Sequence, residues 1–120
     1  MRRLVAGLIV VLTACGPDKA PAPGPADRVE SLFRAYESGD CTQAKSLVTR
    51  PDDLPCEQVD SIARLFETGR LSLEDATFTV TDEGGESAAV DVDLGDGEGP
   101  APYDVVKIDG EWLVELDTSA

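Results

Sequence analysis

Four carboxylates stand within eight residues, Asp91, Asp93, Asp96 and Glu98, in the run Asp91-Val92-Asp93-Leu94-Gly95-Asp96-Gly97-Glu98. Acids this dense raise the question of a cation. Calcium takes roughly six to eight oxygens, and its helix–loop–helix site spaces acids at about positions 1, 3 and 5, with Gly at 6 and Glu at 12. Counted from Asp91, the fifth place is Gly95, the sixth Asp96 and the twelfth Pro102, so the pattern fails. Asp91 and Asp93 also fall on one side of a strand, about 7 Å apart at the α-carbons, as on a solvated acidic strand. These four remain weak metal candidates, and no metal site is expected. Proton and nucleophile chemistry is thinner still. The chain has no histidine. No serine has a partner base, and no Gly-rich loop precedes a helix in the manner of a phosphate cradle. No catalytic residue and no cofactor is expected.

The remaining chemistry lies in three cysteines. Cys15 follows Leu12-Thr13-Ala14 and closes a start made of Met1-Arg2-Arg3 and an apolar run over residues 4–12. A basic start, a short apolar run and small residues at a cut site are the parts of a secretory signal. Nine residues fall well short of the roughly 20 that a membrane-spanning helix needs. Leu12-Thr13-Ala14-Cys15 resembles the lipobox of bacterial lipoproteins. The resemblance implies removal of residues 1–14 as a signal peptide, a diacylglyceryl thioether on Cys15, and a further acyl chain such as palmitate on the new amino group. Two or three chains, at about 0.8 kcal/mol per buried methylene, make a stable anchor where one would not. With Cys15 taken by lipid, Cys41 and Cys56 are left to each other in an exported chain, which favours a disulfide. Its loop of about 15 residues would contribute roughly 3 kcal/mol by the chain-entropy estimate. No Cys-x-x-Cys points to redox work, and two thiolates without histidine do not make a zinc site.

Charge narrows the partners. Cleavage before Cys15 removes Arg2 and Arg3 and leaves eight basic and 24 acidic residues, a net charge of −16. Such a chain does not favour nucleic acid, whose phosphates need Lys and Arg. Nor will it lie flat on anionic lipid. Residues 71–120 hold 14 acids against Lys107 alone. Solubility is the plainest consequence.

The elements that position these residues follow in order. Residues 15–25 carry four prolines and two glycines and nothing apolar larger than Ala beyond Cys15. They form a semi-rigid tether that, at about 3.1 Å per residue, lifts the domain some 30 Å from the bilayer. The domain spans residues 26–120. Val29, Leu32, Phe33 and Tyr36 recur at i, i+3, i+4, i+7 and predict an amphipathic helix. Asp27 meets its N-terminus, and Gly39 suits the left-handed position past its end. Asp40 caps a short second helix carrying Ala44, Leu47 and Val48. A third helix begins near Pro55 or Cys56, with Val59, Ile62, Ala63 and Phe66 repeating the first helix's spacing. The cysteines thus start two successive helices. Past Arg70 the period becomes two: Ala76, Phe78 and Val80, then Ala88, Val90, Val92 and Leu94. Asp109-Gly110 is the strongest short hairpin signal. A two-residue turn there opposes Lys107 to Trp112, Val105 to Val114 and Tyr103 to Leu116 on the core side, with Lys107 able to lie on Trp112. Val106, Ile108 and Leu113 make the back face more apolar than solvation requires.

Helices followed by strands predict an α+β domain, three helices on one face of a curved four-stranded antiparallel meander. Tyr36-Glu37-Ser38-Gly39-Asp40 after the first helix, the Ala88-Ala89-Val90-Asp91-Val92 strand, and Lys107-Ile108-Asp109-Gly110-Glu111-Trp112-Leu113-Val114 before the end carry a resemblance over residues 26–117. The chain resembles small bacterial lipoproteins of the nuclear-transport-factor-like, cystatin-like superfamily, a cone of helices against a sheet. Enzymes of that superfamily use His, Asp and Tyr inside the cone. Here there is no histidine, and Tyr36 and Tyr103, near the implied cone, have apolar neighbours and read as core. The expected function is a non-catalytic exported lipoprotein. It is lipid-anchored on the extracytoplasmic face of the cell membrane, periplasmic where an outer membrane exists. Its domain is monomeric and binds an envelope protein or a small ligand. The alternatives are an enzyme using the cone and an acidic cell-surface cation binder.

Overall fold

The computed structural model describes residues 23–116 of the 120-residue chain. Residues 1–14, Cys15 and most of the tether lie outside the described residues. The described part runs α1 (Pro25–Ser38), α2 (Cys41–Ser46), a 3-10 turn (Pro51–Asp53), α3 (Cys56–Glu67), then β1 (Thr77–Glu83), β2 (Ser87–Asp93), β3 (Ala101–Ile108) and β4 (Glu111–Glu115). The strands form one antiparallel sheet in the order β1-β2-β3-β4. This is the α+β meander that the change of period predicts.

Local chemistry sets each boundary. Helix α1 opens at Pro25, a residue earlier than the tether boundary read from the sequence, because proline suits a first helical turn. Asp27 is not its N-cap. It lies three residues past Gly24 and accepts from the Gly24 N–H at 2.9 Å, half of a capping box. Gly39 ends α1 in the left-handed conformation, its N–H donating to the Tyr36 carbonyl at 3.1 Å. Asp40 caps α2 through its Oδ1, which accepts from the Gln43 N–H at 3.1 Å. The Asp109-Gly110 turn has both φ angles positive, +53° and +83°, and sets the register Lys107↔Trp112 and Val105↔Val114.

Helix α1 is the centre of the packing. It touches α2, α3 and all four strands. Val29, Leu32, Phe33 and Tyr36 are buried with Val90, Val92, Val105, Trp112 and Val114 of the sheet. Lys107 Nζ lies 5.3 Å from the centre of the Trp112 ring. Leu47 and Val48 fall just past α2, not within it, and serve the sheet. The Val114 N–H donates to the Leu47 carbonyl at 2.8 Å, and the Thr49 N–H donates to the Val114 carbonyl at 3.0 Å. The outer edge of β4 is thereby paired at Val114, which shortens the free edge open to strand addition. One expectation fails in part. The period of two puts Val80 on the same face as Phe78, yet Val80 is 36% exposed. The register shifts between Val80 and Asp82, and such a bulge turns the strand away from the core.

Helix α3 differs from α1 although their apolar spacings are the same. It packs on α1 and α2 and on no described strand. Val59 is fully buried, but Ile62, Ala63 and Phe66 are only half-buried. The helix is joined to α2 by the Cys41–Cys56 disulfide, with α-carbons 5.4 Å apart. Held there, it stands off the end of the sheet.

Candidate functional site

The gap left by α3 is a cleft of about 750 Å³. Its helical wall is Gln58 and Ile62 of α3 and Tyr36 of α1, and Asp53 of the 3-10 turn stands at one side. The opposite wall is Ala101, Pro102, Tyr103 and Asp104 of β3, with Glu115 and Leu116 at the end of β4. A cleft this size is in the usual range for small-ligand sites. Two smaller hollows lie elsewhere, of about 140 Å³ beside Phe33 and Leu94 and about 170 Å³ on the back of the sheet.

An aromatic cluster holds the deep side. Phe33 meets the rings of Tyr36, Phe78 and Tyr103 edge-to-face, with centroids 5.8, 5.7 and 5.5 Å apart. That is the arrangement the ring quadrupoles prefer. Tyr36 is 7% exposed and Tyr103 half-buried. Neither hydroxyl makes a hydrogen bond to another described residue. Burial, with a smaller contribution from the Tyr103 hydroxyl, pushes the Tyr36 phenol up to about 12. Burial raises Tyr103 as well. Both phenols stay neutral near pH 7 and offer O–H groups to whatever enters.

Asp104 and Glu115 are exposed and face one another across β3 and β4; by strand alternation they turn away from Tyr103 to the back of the sheet, where they also line the smaller hollow. Side chains so placed are about 4.5–5.5 Å apart at Cβ, and like charges there are destabilising. No Lys or Arg pairs with either among the described residues, where the ion pairs are Arg34 with Glu30 and Glu37, and Arg50 with Asp53. Arg50 lies at the rim. Its Nε is 3.2 Å from Asp53 Oδ2, and its Nη2 donates to the Leu116 carbonyl at 3.0 Å. It ties the 3-10 turn to the end of β4 and so fixes the width of that side.

The predicted site residues are distributed otherwise. Cys41 and Cys56 are joined. Cys15 lies outside the described residues. Asp91 and Asp93 are on β2, and Asp96 and Glu98 in the loop beyond it. Asp93 Oδ1 accepts from the Gly95 N–H at 2.9 Å, and Asp96 Oδ1 from the Glu98 N–H at 3.0 Å. These carboxylates shape the turn. Among the described residues no three Asp, Glu, Cys or His side chains gather as metal ligands. Tyr36 and Tyr103, read as core, are both core and lining. Asp53, Gln58, Ile62, Asp104 and Glu115 also line the cleft, and no motif or spacing in the sequence marks them as site residues. The Asp109-Gly110 register does set Asp104 opposite Glu115, and that pairing was the legible signal.

No protein-family model matches the chain, and no curated protein matches it. Among solved structures it is similar to a crystal structure from Campylobacter jejuni named a "putative NTF2-like transpeptidase". The TM-score is 0.54 and the identity 20%, over 78% of this chain and 98% of that one. The fold is therefore NTF2-like: three helices against a four-stranded antiparallel sheet. At this identity the likeness concerns the fold.

Proposed function

We propose that this chain is an exported lipoprotein, held to the membrane through Cys15, whose domain is a non-catalytic binding module working through the cleft between α3 and the end of the sheet. The observation that carries the reading is the make-up of that cleft. Its depth is aromatic and apolar, Gln58 and Asp53 stand at its helical side, and no charged residue as a whole is buried among the described residues. General acid–base chemistry often uses a carboxyl desolvated by burial, and the carboxyls among the lining residues, Asp53, Asp104 and Glu115, are all exposed. The Campylobacter protein's name suggests acyl transfer, which needs an activated nucleophile and a base. Among the described residues no Ser, Thr, Cys or Lys lines this cleft, and Cys41 and Cys56 are bonded to each other.

Two substitutions with a photo-crosslinking amino acid test the binding role in the chain's own membranes. Gln58 lines the cleft, while Arg34 is exposed on α1 and lines no part of it. The expected result is a light-dependent adduct from position 58 and none from position 34. Adducts from both, or from neither, would remove the cleft from the function. The anchor has its own test: Cys15→Ser should move the protein out of the membrane fraction, and unchanged fractionation would contradict the lipobox reading.

A further inference from the structure

We infer that the free edge of β1 takes an extended peptide segment in which apolar and basic residues alternate, added to the sheet as a further strand. This surface is separate from the cleft, whose lining includes no residue of β1. Strand β1 ends the sheet on one side. On the other side β4 is paired at Val114 with Val48. No segment outside the sheet bonds to the backbone of β1 among the described residues. Such an edge leaves a row of unpaired N–H and C=O groups, and the usual guards are proline, lysine or a bulge. Strand β1 has neither proline nor lysine. Its register shift falls between Val80 and Asp82, past Thr77–Val80, where the pairing with β2 is regular.

The two faces of β1 select the occupant. Cross-strand partners share a face, so Phe78 and Val80 lie on the core side with the buried Val92 and Val90. Yet Phe78 is only half-buried and Val80 is exposed, since no strand follows on their outer flank. Apolar side chains on an added strand would cover both. Thr77 and Thr79 lie on the back with Asp93 and Asp91. Neither carboxylate has an ion-pair partner among the described residues, and no Lys or Arg occurs between Arg70 and Lys107. An added strand runs about 10 Å from β2, two strand spacings away. From there a long basic side chain, its stem lying over the short Thr77 or Thr79, brings its charge to Asp93 or Asp91. The pleat then dictates alternation, with apolar residues towards the core side and basic ones towards the back. A second copy of this chain does not meet that requirement. Lys107 is the only base on the four strands, and joining β1 to β1 would gather the acids of both copies on one face.

The probe is an end-blocked seven-residue peptide alternating lysine and valine, titrated into the full-length protein with amide signals followed by nuclear magnetic resonance. The signals of Thr77, Phe78, Thr79 and Val80 should shift. With peptide at about ten times its dissociation constant, the outward amides among them should exchange about tenfold more slowly. Methylating the backbone nitrogens of either the valines or the lysines blocks one edge of the peptide at a time. One methylated form should keep its affinity and the other lose it, because alternate residues point their N–H groups to opposite edges. A peptide with glutamate in place of lysine should not bind. Asp91→Asn with Asp93→Asn should weaken the lysine peptide by about tenfold, the upper end for two exposed ion pairs. Unmoved β1 signals, binding of the glutamate peptide, or equal affinity of both methylated forms would overturn the inference. Protection of the β1 amides that is present without peptide and lost on dilution would give the edge to a second copy and overturn it as well.

Discussion

Replacing Gly95 by alanine should destabilise the domain more than the same change at Gly97, two residues away in one loop. Both glycines have left-handed backbones, with φ of +74° and +87°. For an L-residue that conformation costs about 1–2 kcal/mol. The two sites then part. A Cβ on Gly97 would have nothing within 4 Å, whereas one on Gly95 would fall 2.8 Å from Asp75 Cβ and 3.1 Å from the Asp75 carbonyl oxygen. Carbon atoms rest at about 3.5–4.0 Å, so the contact is roughly an ångström too short. It involves backbone and Cβ, which cannot swing aside like the tip of a long side chain. Forcing an extra carbon into a packed contact costs about 1–3 kcal/mol. The sums are about 1–2 kcal/mol for Gly97→Ala and about 2–5 kcal/mol for Gly95→Ala. Urea unfolding would show this as a larger fall in midpoint for Gly95→Ala at unchanged slope. Asp75→Gly removes the nearest atom and should recover part of the loss in a double-mutant cycle, since the two residues touch. Equal midpoints for the two alanine variants, or no coupling to Asp75, would refute the argument that the β2–β3 loop is pressed onto the segment before β1.

Three further outcomes follow from single contacts. Reducing the Cys41–Cys56 bond, which closes a separation of 15 residues, should cost roughly 3 kcal/mol; thermal midpoints that agree with and without reductant would contradict it. Tyr36 has a folded-state pKa raised to about 12 from the ordinary 10.0, so above pH 10 the unfolded chain releases a proton that the folded chain retains. Its contribution to stability is complete below pH 10 and is lost as pH rises towards 12; Tyr36→Phe should flatten that part of the stability–pH curve, and an unchanged slope would argue against it. Asp104→Asn should raise stability by about 0.2–1 kcal/mol by ending the repulsion across from Glu115, whereas a lower midpoint would mean that the pair is already neutralised.

The parts of the fold legible in the sequence are those fixed by neighbours a few residues apart. Gly39, Asp40 and Asp109-Gly110 each impose a backbone conformation on their own turn, and each stands where the spacing places it. The bulge at Val80 was not legible, because alternation continues in the sequence through the point where the pairing slips. The cleft was hidden for a related reason. Val29, Leu32, Phe33 and Tyr36 have the same spacing as Val59, Ile62, Ala63 and Phe66, so periodicity assigns both helices the same burial. Yet α1 lies between the sheet and the other helices, while α3 rests only on helices. Which helix takes the central position is decided by long-range competition for the sheet's apolar face. Residues 41 and 56 being bonded then holds the start of α3 at α2. The identical pattern therefore becomes a closed floor in α1 and a half-open wall in α3. Ile62 faces a cleft because α1 already covers the strands, and the short distance between two cysteines keeps α3 from sliding down to close it.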